Sequence, residues 1–196
     1  MKYEIEKIQE KLRLKLKGRR FSHTLGVQYT SACLAMRYAE DVEDAEIAGL
    51  LHDCAKQLSD EKRLEICFEN HIPVTDIERK YPFLLHGKVG AYYAKTKYCI
   101  DNEDILNAIA HHTTGRPAMS MLEKIVFTAD YIEPGRDQAP NLEKLRQTAF
   151  TDIDLAVYHI LKQTLEYLEK TGTETDQQTV TTYEYYKNFL EVRKNG

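Results

Sequence analysis

Apolar residues recur every three to four positions along almost the whole chain. Near the N-terminus, Ile5, Ile8 and Leu12 follow this spacing among Glu and Lys residues. The spacing places apolar side chains on one face of an α-helix. Period-two alternation appears only weakly, around residues 179–182, and no hairpin signal accompanies it. The pattern predicts an all-α protein.

Several positions favour helix ends and divide this pattern into segments. Gly18 is expected to end the first helix, Ser120 and Glu123 match a capping box, and residues 151–154 can cap a long helix. Residues 172–182 are polar and are expected to be poor in helix. The remaining helices are expected over 3–17, 21–40, 43–56, 61–70, 103–112 and 183–194, with others starting near 81, 120 and 151.

Length and composition limit the fold and the partners. A chain of 196 residues, 42% hydrophobic and 30% charged, can bury one sizeable core, so a single domain over residues 1–196 is expected. The net charge of −4 provides no basic surface for nucleic acid. No run of 18 apolar residues and no apolar N-terminal segment occur, so neither a membrane span nor an export signal is expected.

The spacing of the cysteines indicates the cellular compartment of the protein. The four cysteines lie far apart and form no pair with metal-binding spacing, which is typical of reduced thiols in a cytoplasmic protein. They are Cys33, Cys54, Cys67 and Cys99.

One short stretch, Ala48–Lys56, joins an apolar run to an adjacent His52 and Asp53. Taken alone, the pair is typical of a polar helix end with exposed side chains. Asp130 also follows an apolar run, and a buried carboxylate needs a partner. Either a metal ion or a salt bridge to Arg136 would satisfy it. The histidines that lie on or at the ends of helices with an apolar face are His23, His52, His86, His111 and His112.

Histidine and aspartate together indicate a particular class of metal ion. Mixed nitrogen and oxygen ligands suit first-row ions such as Mn, Fe, Co, Ni or Zn better than Mg or Ca. Two histidines and two carboxylates would leave positions open on an octahedral ion, as hydrolytic chemistry requires.

The order His23, His52-Asp53, Asp130 matches the H…HD…D signature, and the chain resembles the HD-domain metal-dependent phosphohydrolases. It is similar in particular to the bacterial YqeK-type hydrolases, which cleave diadenosine tetraphosphate symmetrically into two ADP. The resemblance spans about residues 3–190. The segments that carry it are Arg20–Thr24, Gly49–Lys56, Leu85–Gly87, Ala110–Gly115 and Thr128–Arg136.

The resemblance implies an HD-domain helical bundle with a core at about residues 18–135. Helices at about 141–194 would complete the bundle and the nucleotide pocket. Iron is the implied metal, with Mn or Co as substitutes, and a second ion is left open. The implied metal ligands are His23, His52, Asp53 and Asp130. Across the cleft, near a second metal or the phosphates, would lie His86, His111 and His112.

Basic residues and one loop complete the expected site. Lys56 follows Asp53 by about one helical turn, Arg136 follows a Pro-Gly break, and Arg20 precedes His23 by three residues. Each can bind phosphate or can simply be solvated or salt-bridged. The expected catalytic side chains are Lys56, Arg136 and His111, with His111 as phosphate donor or proton carrier. His86 is the expected second-metal ligand, and His112 would orient His111 or a water.

The loop expected against the nucleotide comprises Gly172, Thr173, Glu174, Thr175, Asp176 and Gln177, and it lacks the His and Pro that the family commonly has there.

These features predict an enzyme in which a metal-bound hydroxide attacks an inner phosphate of diadenosine tetraphosphate and two ADP result. The alternatives are an HD phosphohydrolase for a nucleoside mono- or triphosphate or an alarmone, and a nucleotide-sensing module without turnover. A helical scaffold with a structural ion would favour a closed shell containing cysteine. The expected partner is a small nucleotide. Tyr183, Tyr185 and Tyr186 could pack on the core or on another subunit, so a homodimer stays open.

Overall fold

The computed structural model describes residues 2–195, which form eleven α-helices and one 3₁₀ helix and contain no strand. The prediction of an all-α protein is confirmed. In chain order the elements are α1 Ile5–Lys15, α2 Gly18–Tyr38, α3 Val42–Leu51, α4 Asp60–Glu69, α5 Asp76–Lys80, the 3₁₀ helix Pro82–Leu85, α6 His86–Tyr98, α7 Glu103–His111, α8 Met121–Ile132, α9 Leu142–Ala149, α10 Ile153–Thr171 and α11 Gln177–Asn195.

Helix α2 lies at the centre of the bundle and packs against both α3 and α8. Its apolar face, with Val27, Leu34 and Ala35, is fully buried. Residues from α1 to α11 share one continuous core, and a smaller cluster around Ile66 and Leu85 lies beneath α4 and α6. Within residues 2–195, no helix has the length and apolar character needed to cross a membrane.

The C-terminal part contains more helix than the sequence pattern predicts. Helix α11 begins at Gln177, so the expectation that residues 172–182 are poor in helix is wrong for 177–182. This Thr-rich turn has low helix propensity, but Thr179 and Thr182 are buried there and packing outweighs propensity. Two short helices, α5 and α9, were not predicted. Helix α9 is anchored by Leu142, Leu145 and Ala149, which are buried.

The first helix boundary also differs from the prediction. Helix α1 ends at Lys15, and the extended Leu16 and Lys17 join it to α2. Gly18 has a positive φ of 28° and begins α2 instead of ending α1.

The segment after α3 is wound more tightly than the predicted helix over residues 43–56. Regular α-helix ends at Leu51, and backbone bonds three residues apart follow it, from Cys54 to Leu51 at 3.0 Å and from Lys56 to Asp53 at 2.9 Å. In such winding, side chains three residues apart eclipse one another. Asp53 and Lys56 therefore project in nearly the same direction, and Lys56 Nζ lies 3.8 Å from Asp53 Oδ1.

The capping box at the start of α8 is confirmed and gives a testable contribution to stability. The Ser120 side chain accepts the Glu123 N–H, and Glu123 Oε2 accepts the Ser120 N–H at 2.8 Å. We expect Ser120→Ala to lower the free energy of unfolding by about 1 kcal/mol, because a helix N–H loses its acceptor. Urea denaturation measures this change. An unchanged midpoint would contradict the proposed role of the cap.

Candidate metal centre

His52 and Asp53 lie in the tight segment after α3, and both are withdrawn from solvent. Their side chains are 0% and 3% exposed. The interpretation of the pair as ordinary exposed residues at a helix end is therefore excluded. His52 Nδ1 donates to the Gly49 carbonyl at 2.7 Å, an acceptor that the end of α3 leaves free.

His23 from α2 and Asp130 from α8 meet this pair. His23 Nε2 lies 3.0 Å from Asp130 Oδ1 and 3.9 Å from Asp53 Oδ2. His52 Nε2 lies 3.8 Å from Asp130 Oδ1 and 3.5 Å from Asp53 Oδ2. The four residues predicted as metal ligands are thus brought together from three separate parts of the chain.

A second group of ligand atoms lies on the other side of Asp53. His86 Nε2 and His112 Nε2 are 3.1 Å apart and lie 3.4 and 3.7 Å from Asp53 Oδ1. Lys56 Nζ is 3.0 Å from His86 Nε2. Two sets of possible metal-ligand atoms lie within 4.8 Å of one another. One set belongs to His23, His52 and Asp130, and the other belongs to His52, Asp53 and His112.

Four histidines share one arrangement of their two ring nitrogens. In His52, His86 and His112, Nδ1 is bonded to the carbonyl three residues earlier, at 2.6 to 2.8 Å. In His23, Nδ1 is bonded to Glu133 Oε1 at 3.0 Å. When Nδ1 carries the proton, Nε2 keeps its lone pair for a metal. All four Nε2 atoms therefore present lone pairs towards Asp53 and Asp130.

Two arginines border the cluster. Arg20 Nη1 donates to Asp53 Oδ2 at 2.7 Å, and Arg136 Nη2 donates to Asp130 Oδ1 at 2.8 Å. The salt bridge between Asp130 and Arg136, which the sequence offered as an alternative to a metal ion, is therefore present. Asp130 also contacts His23. The arginine side chains are 35% and 44% exposed, so they mark the open side of the cluster.

Charges in the cluster shift the pKa values of its carboxyl groups. Burial by itself would raise the pKa of Asp53, but His52, His112 and Lys56 outweigh it and hold that pKa well below the usual value. Burial opposes ionisation of Asp130 too, yet the contact with His23 and the nearby His52 lower its pKa. Both groups are therefore carboxylates near neutral pH.

The pKa values of the cationic side chains shift according to their surroundings. Burial, followed by His112 and Lys56, lowers the pKa of His86 well below its usual value. Burial also lowers the pKa of Lys56, although Asp53 acts in the opposite direction. For His23, burial lowers the pKa, but Asp130 and Glu133 outweigh it and the pKa is raised. A neutral His86 beside the Asp53 carboxylate is suited to binding a cation.

Buried atoms without hydrogen-bond partners indicate that the residues fit a metal ion. Within the described part of the chain, His23 Nε2, His52 Nε2 and Asp53 Oδ1 are buried and make no hydrogen bond. An unsatisfied buried polar atom costs about 1–3 kcal/mol. All three atoms belong to the predicted ligands. His23 Nε2 and His52 Nε2 face Asp130, whereas Asp53 Oδ1 faces His86 and His112, so divalent ions bound within these two groups would satisfy them.

Two parts of the predicted site make no hydrogen bond with this cluster among the described residues. In residues 2–195, no hydrogen bond or ring contact joins His111 to the cluster. Its pKa is lowered by burial, which Glu123 opposes, and Arg116 is a nearby charge. The loop from Gly172 to Gln177 makes an ion pair of its own, between Glu174 and Lys80.

Glu133 contacts a predicted metal ligand but was not among the site residues predicted from the sequence. It lies three residues after Asp130, is 3% exposed, and bonds His23. A carboxylate at the C-terminal end of a helix is disfavoured by the helix dipole, so its presence after α8 signals a compensating contact. That signal was available in the sequence.

A cleft of about 1340 Å³ opens on the side of the two arginines. Its lining includes Arg20, His23, Glu133 and Arg136, and α10 contributes residues from Gln163 to Lys170. Small-molecule sites commonly enclose about 300–1,000 Å³. The cleft has room for an extended ligand that reaches the metal ligands.

Comparisons with known proteins agree with this geometry. Residues 20–135 match the HD domain family. Proteins named symmetrical bis(5'-nucleosyl)-tetraphosphatase include one from Halalkalibacterium halodurans, 42% identical over 84% of this chain and 87% of the relative. Another, from Staphylococcus aureus, is 35% identical over 96% of this chain and 97% of the relative.

A solved structure shares the fold. It is described as a predicted HD superfamily hydrolase involved in NAD metabolism from Clostridium acetobutylicum, and it superimposes with a TM-score of 0.91 at 41% identity. The match covers 95% of this chain and 98% of that one. Because the family match spans more than half of the sequence and includes His23, His52, Asp53 and Asp130, the chain belongs to the HD domain family.

Proposed function

We propose that this protein is a metal-dependent hydrolase that converts diadenosine tetraphosphate and water into two ADP. The observation that carries the proposal is the convergence of His23, His52, Asp53 and Asp130 beside Arg20 and Arg136, at the edge of a large cleft. The names of the relatives in Halalkalibacterium halodurans and Staphylococcus aureus support this reaction and substrate.

Membership of the HD domain family implies dependence on a divalent metal, and the cluster of His and Asp side chains is able to hold one. Among metals, we propose iron, with Mn or Co as substitutes. Imidazole and carboxylate ligands suit first-row ions in general, and the choice of iron rests on the resemblance to the YqeK-type hydrolases. The proposed ligands are His23, His52, Asp53 and Asp130. A second ion would use Asp53 with His86 and His112. Metal analysis after anaerobic purification measures identity and stoichiometry; zinc alone would contradict the choice of iron.

When bound, the metal supplies Lewis-acid polarisation of a phosphoryl oxygen and acidifies water. The chain itself binds and orients the substrate. Arg20 and Arg136, on the open side, would bind phosphate oxygens, and the planar guanidinium allows two parallel hydrogen bonds. Lys56 adds a point charge on the other side of Asp53. Neutralising the phosphate charge lowers the barrier to in-line displacement.

The nucleoside parts of the substrate would lie in the cleft and along the loop that follows α10. The cleft lining on α10 ends at Lys170, two residues before the proposed nucleotide loop Gly172–Gln177. This supports the proposal that helices at about 141–194 complete the pocket of an HD core at about 18–135. For His111, no contact with the cluster supports the assignment as proton carrier, which stays a prediction. His112 is buried beside His86 and is better situated to contact a phosphate or a second ion.

Product analysis tests the proposed reaction. Protein loaded with Fe²⁺, Mn²⁺ or Co²⁺ is incubated with diadenosine tetraphosphate, and the nucleotides are separated by anion exchange. We expect two ADP for each substrate consumed. ATP plus AMP, or no hydrolysis with any of the three metals, would contradict the proposal. A panel of nucleoside mono- and triphosphates and alarmones tests the other HD phosphohydrolase reactions, and ADP binding without turnover would indicate a sensing module.

We also propose a homodimer in the cytoplasm. Tyr185, Phe189 and Val192 are exposed on α11, whereas Tyr186 on the same helix is buried in the core. The four cysteines are unpaired, which fits a reducing compartment. Sedimentation equilibrium measures the mass in solution, and a monomer at high protein concentration would contradict the dimer.

A further inference from the structure

His23 differs from the other histidines of the cluster in the partner of its Nδ1 atom. His52 and His112 lie at helix C-termini, where free carbonyls accept their Nδ1–H groups. His23 lies inside α2, where the carbonyl groups are already engaged in helix hydrogen bonds. Its Nδ1 therefore needs an acceptor from another element, and that acceptor is Glu133.

The surroundings of Glu133 hold its carboxylate in one position. Oε1 accepts from His23 Nδ1 at 3.0 Å, and Oε2 accepts from the Gly135 N–H at 2.5 Å. Gly26 lies one turn after His23 on α2. A Cβ atom at position 26 would overlap Glu133 Oε2 and lie 3.1 Å from Glu133 Cδ. Alanine at position 26 would therefore push this carboxylate away from its position beside His23.

Arg146 fixes the backbone that carries Glu133. Its guanidinium, on α9, donates to the carbonyls of Ile132, Glu133 and Arg136 at 2.8, 3.0 and 2.9 Å. These contacts hold the chain where it leaves α8, between the ligand Asp130 and the cleft. The same short segment thus supplies a metal ligand and the group that orients a second ligand.

We propose that Glu133 is the positioning residue of the metal centre and that Gly26 and Arg146 keep it in place. Its carboxylate keeps the proton on His23 Nδ1, fixes the ring plane, and leaves Nε2 free to bind the ion. A hydrogen bond to a carboxylate is stronger than one to a neutral carbonyl, so it also makes His23 a better electron donor. This inference rests on the metal centre of the proposed function, but it does not depend on the substrate.

Metal binding without any nucleotide tests the inference. We expect Glu133→Ala to lower the affinity for Mn²⁺, measured by calorimetry, by about 10- to 100-fold. Glu133→Gln keeps an oxygen acceptor for Nδ1–H and is expected to lose less. Gly26→Ala leaves the carboxylate in the sequence but displaces it, so its Mn²⁺ affinity is expected to fall as for Glu133→Ala.

The ring nitrogens of His23 provide a second measurement. In wild-type protein loaded with diamagnetic Zn²⁺, ¹⁵N spectra are expected to show His23 with its proton on Nδ1 and with Nε2 bound to the ion, whereas Glu133→Ala and Gly26→Ala are expected to lose much of the signal of metal-bound His23 Nε2. A loss of packing alone would not shift this signature.

Glu123 offers a matched control because it is a buried carboxylate at the other end of the same helix, paired with Arg116. We expect Glu123→Gln to lower the melting temperature while Mn²⁺ affinity stays within about twofold. The inference is overturned if Glu133→Ala and Gly26→Ala both bind Mn²⁺ as the wild type does, or if Glu123→Gln weakens Mn²⁺ binding as much as Glu133→Ala. Because no substrate is used, failure to cleave diadenosine tetraphosphate would leave this result unaffected.

Discussion

Replacing His52 with alanine, or Asp53 with alanine, is expected to remove bound metal and hydrolysis together. His52 Nε2 and Asp53 Oδ1 are buried atoms without a hydrogen bond, so their proposed role is to bind the ion. Each variant should contain less than a tenth of the wild-type metal and hydrolyse diadenosine tetraphosphate at the background rate. Elemental analysis and product chromatography on the same samples measure both quantities.

Metal-dependent stability provides an independent measurement for these variants. A ligand present at about a hundred times its Kd stabilises the folded state by about 2.7 kcal/mol. Added Mn²⁺ should therefore raise the melting temperature of the wild type and leave that of His52→Ala unchanged. If either variant kept both metal and turnover, the proposed ligand set would be wrong.

His71 gives a suitable control. It is exposed and has a positive φ of 54°, so asparagine, which tolerates this conformation, removes the imidazole without straining the backbone. His71→Asn is expected to match the wild type in metal content and turnover.

Replacing Arg136 with alanine is expected to lower kcat by about 100- to 1,000-fold while metal content stays near the wild-type level. The guanidinium is partly exposed on the open side of the cluster, where it can exchange its contact with Asp130 for a phosphate oxygen. Arg136→Lys keeps the charge but loses the planar pair of donors, so it should recover only part of the rate. Steady-state kinetics with metal analysis measure both effects.

The pair Arg193–Asp152 provides the matched control, because it is an Arg–Asp ion pair that does not line the cleft. Arg193→Ala should leave kcat unchanged. If the loss of rate in Arg136→Ala were equalled by a loss of metal, the role of Arg136 would be to hold Asp130 as a ligand, and the phosphate-binding proposal would be contradicted.

Local sequence signals were sufficient to predict most of the helices. The Ser120–Glu123 capping box is present as predicted, and the cap predicted within residues 151–154 is Asp152, since both depend on residues only three positions apart. The start of α11 at Gln177 could not be predicted in this way. Its Thr residues are helical because Thr179 and Thr182 are buried by other parts of the chain.

The order His23, His52-Asp53 and Asp130 was also enough to predict which residues would meet. It could not distinguish His111 from His112, because neighbours on a helix point about 100° apart and either could face the cluster. In the structure His112 is tied to the Ile109 carbonyl and faces His86, whereas His111 has Glu123 and Arg116 as its charged neighbours.

By itself, the sequence determined that the protein is helical and which four side chains form the candidate metal centre. Only the tertiary structure decided which histidine joins that centre, that Glu133 orients His23, and that Gly26 makes room for it. The physical reason is that helix formation depends on contacts within a few residues. The partner of His23, by contrast, lies 110 positions away and is selected by the packing of α2 against α8.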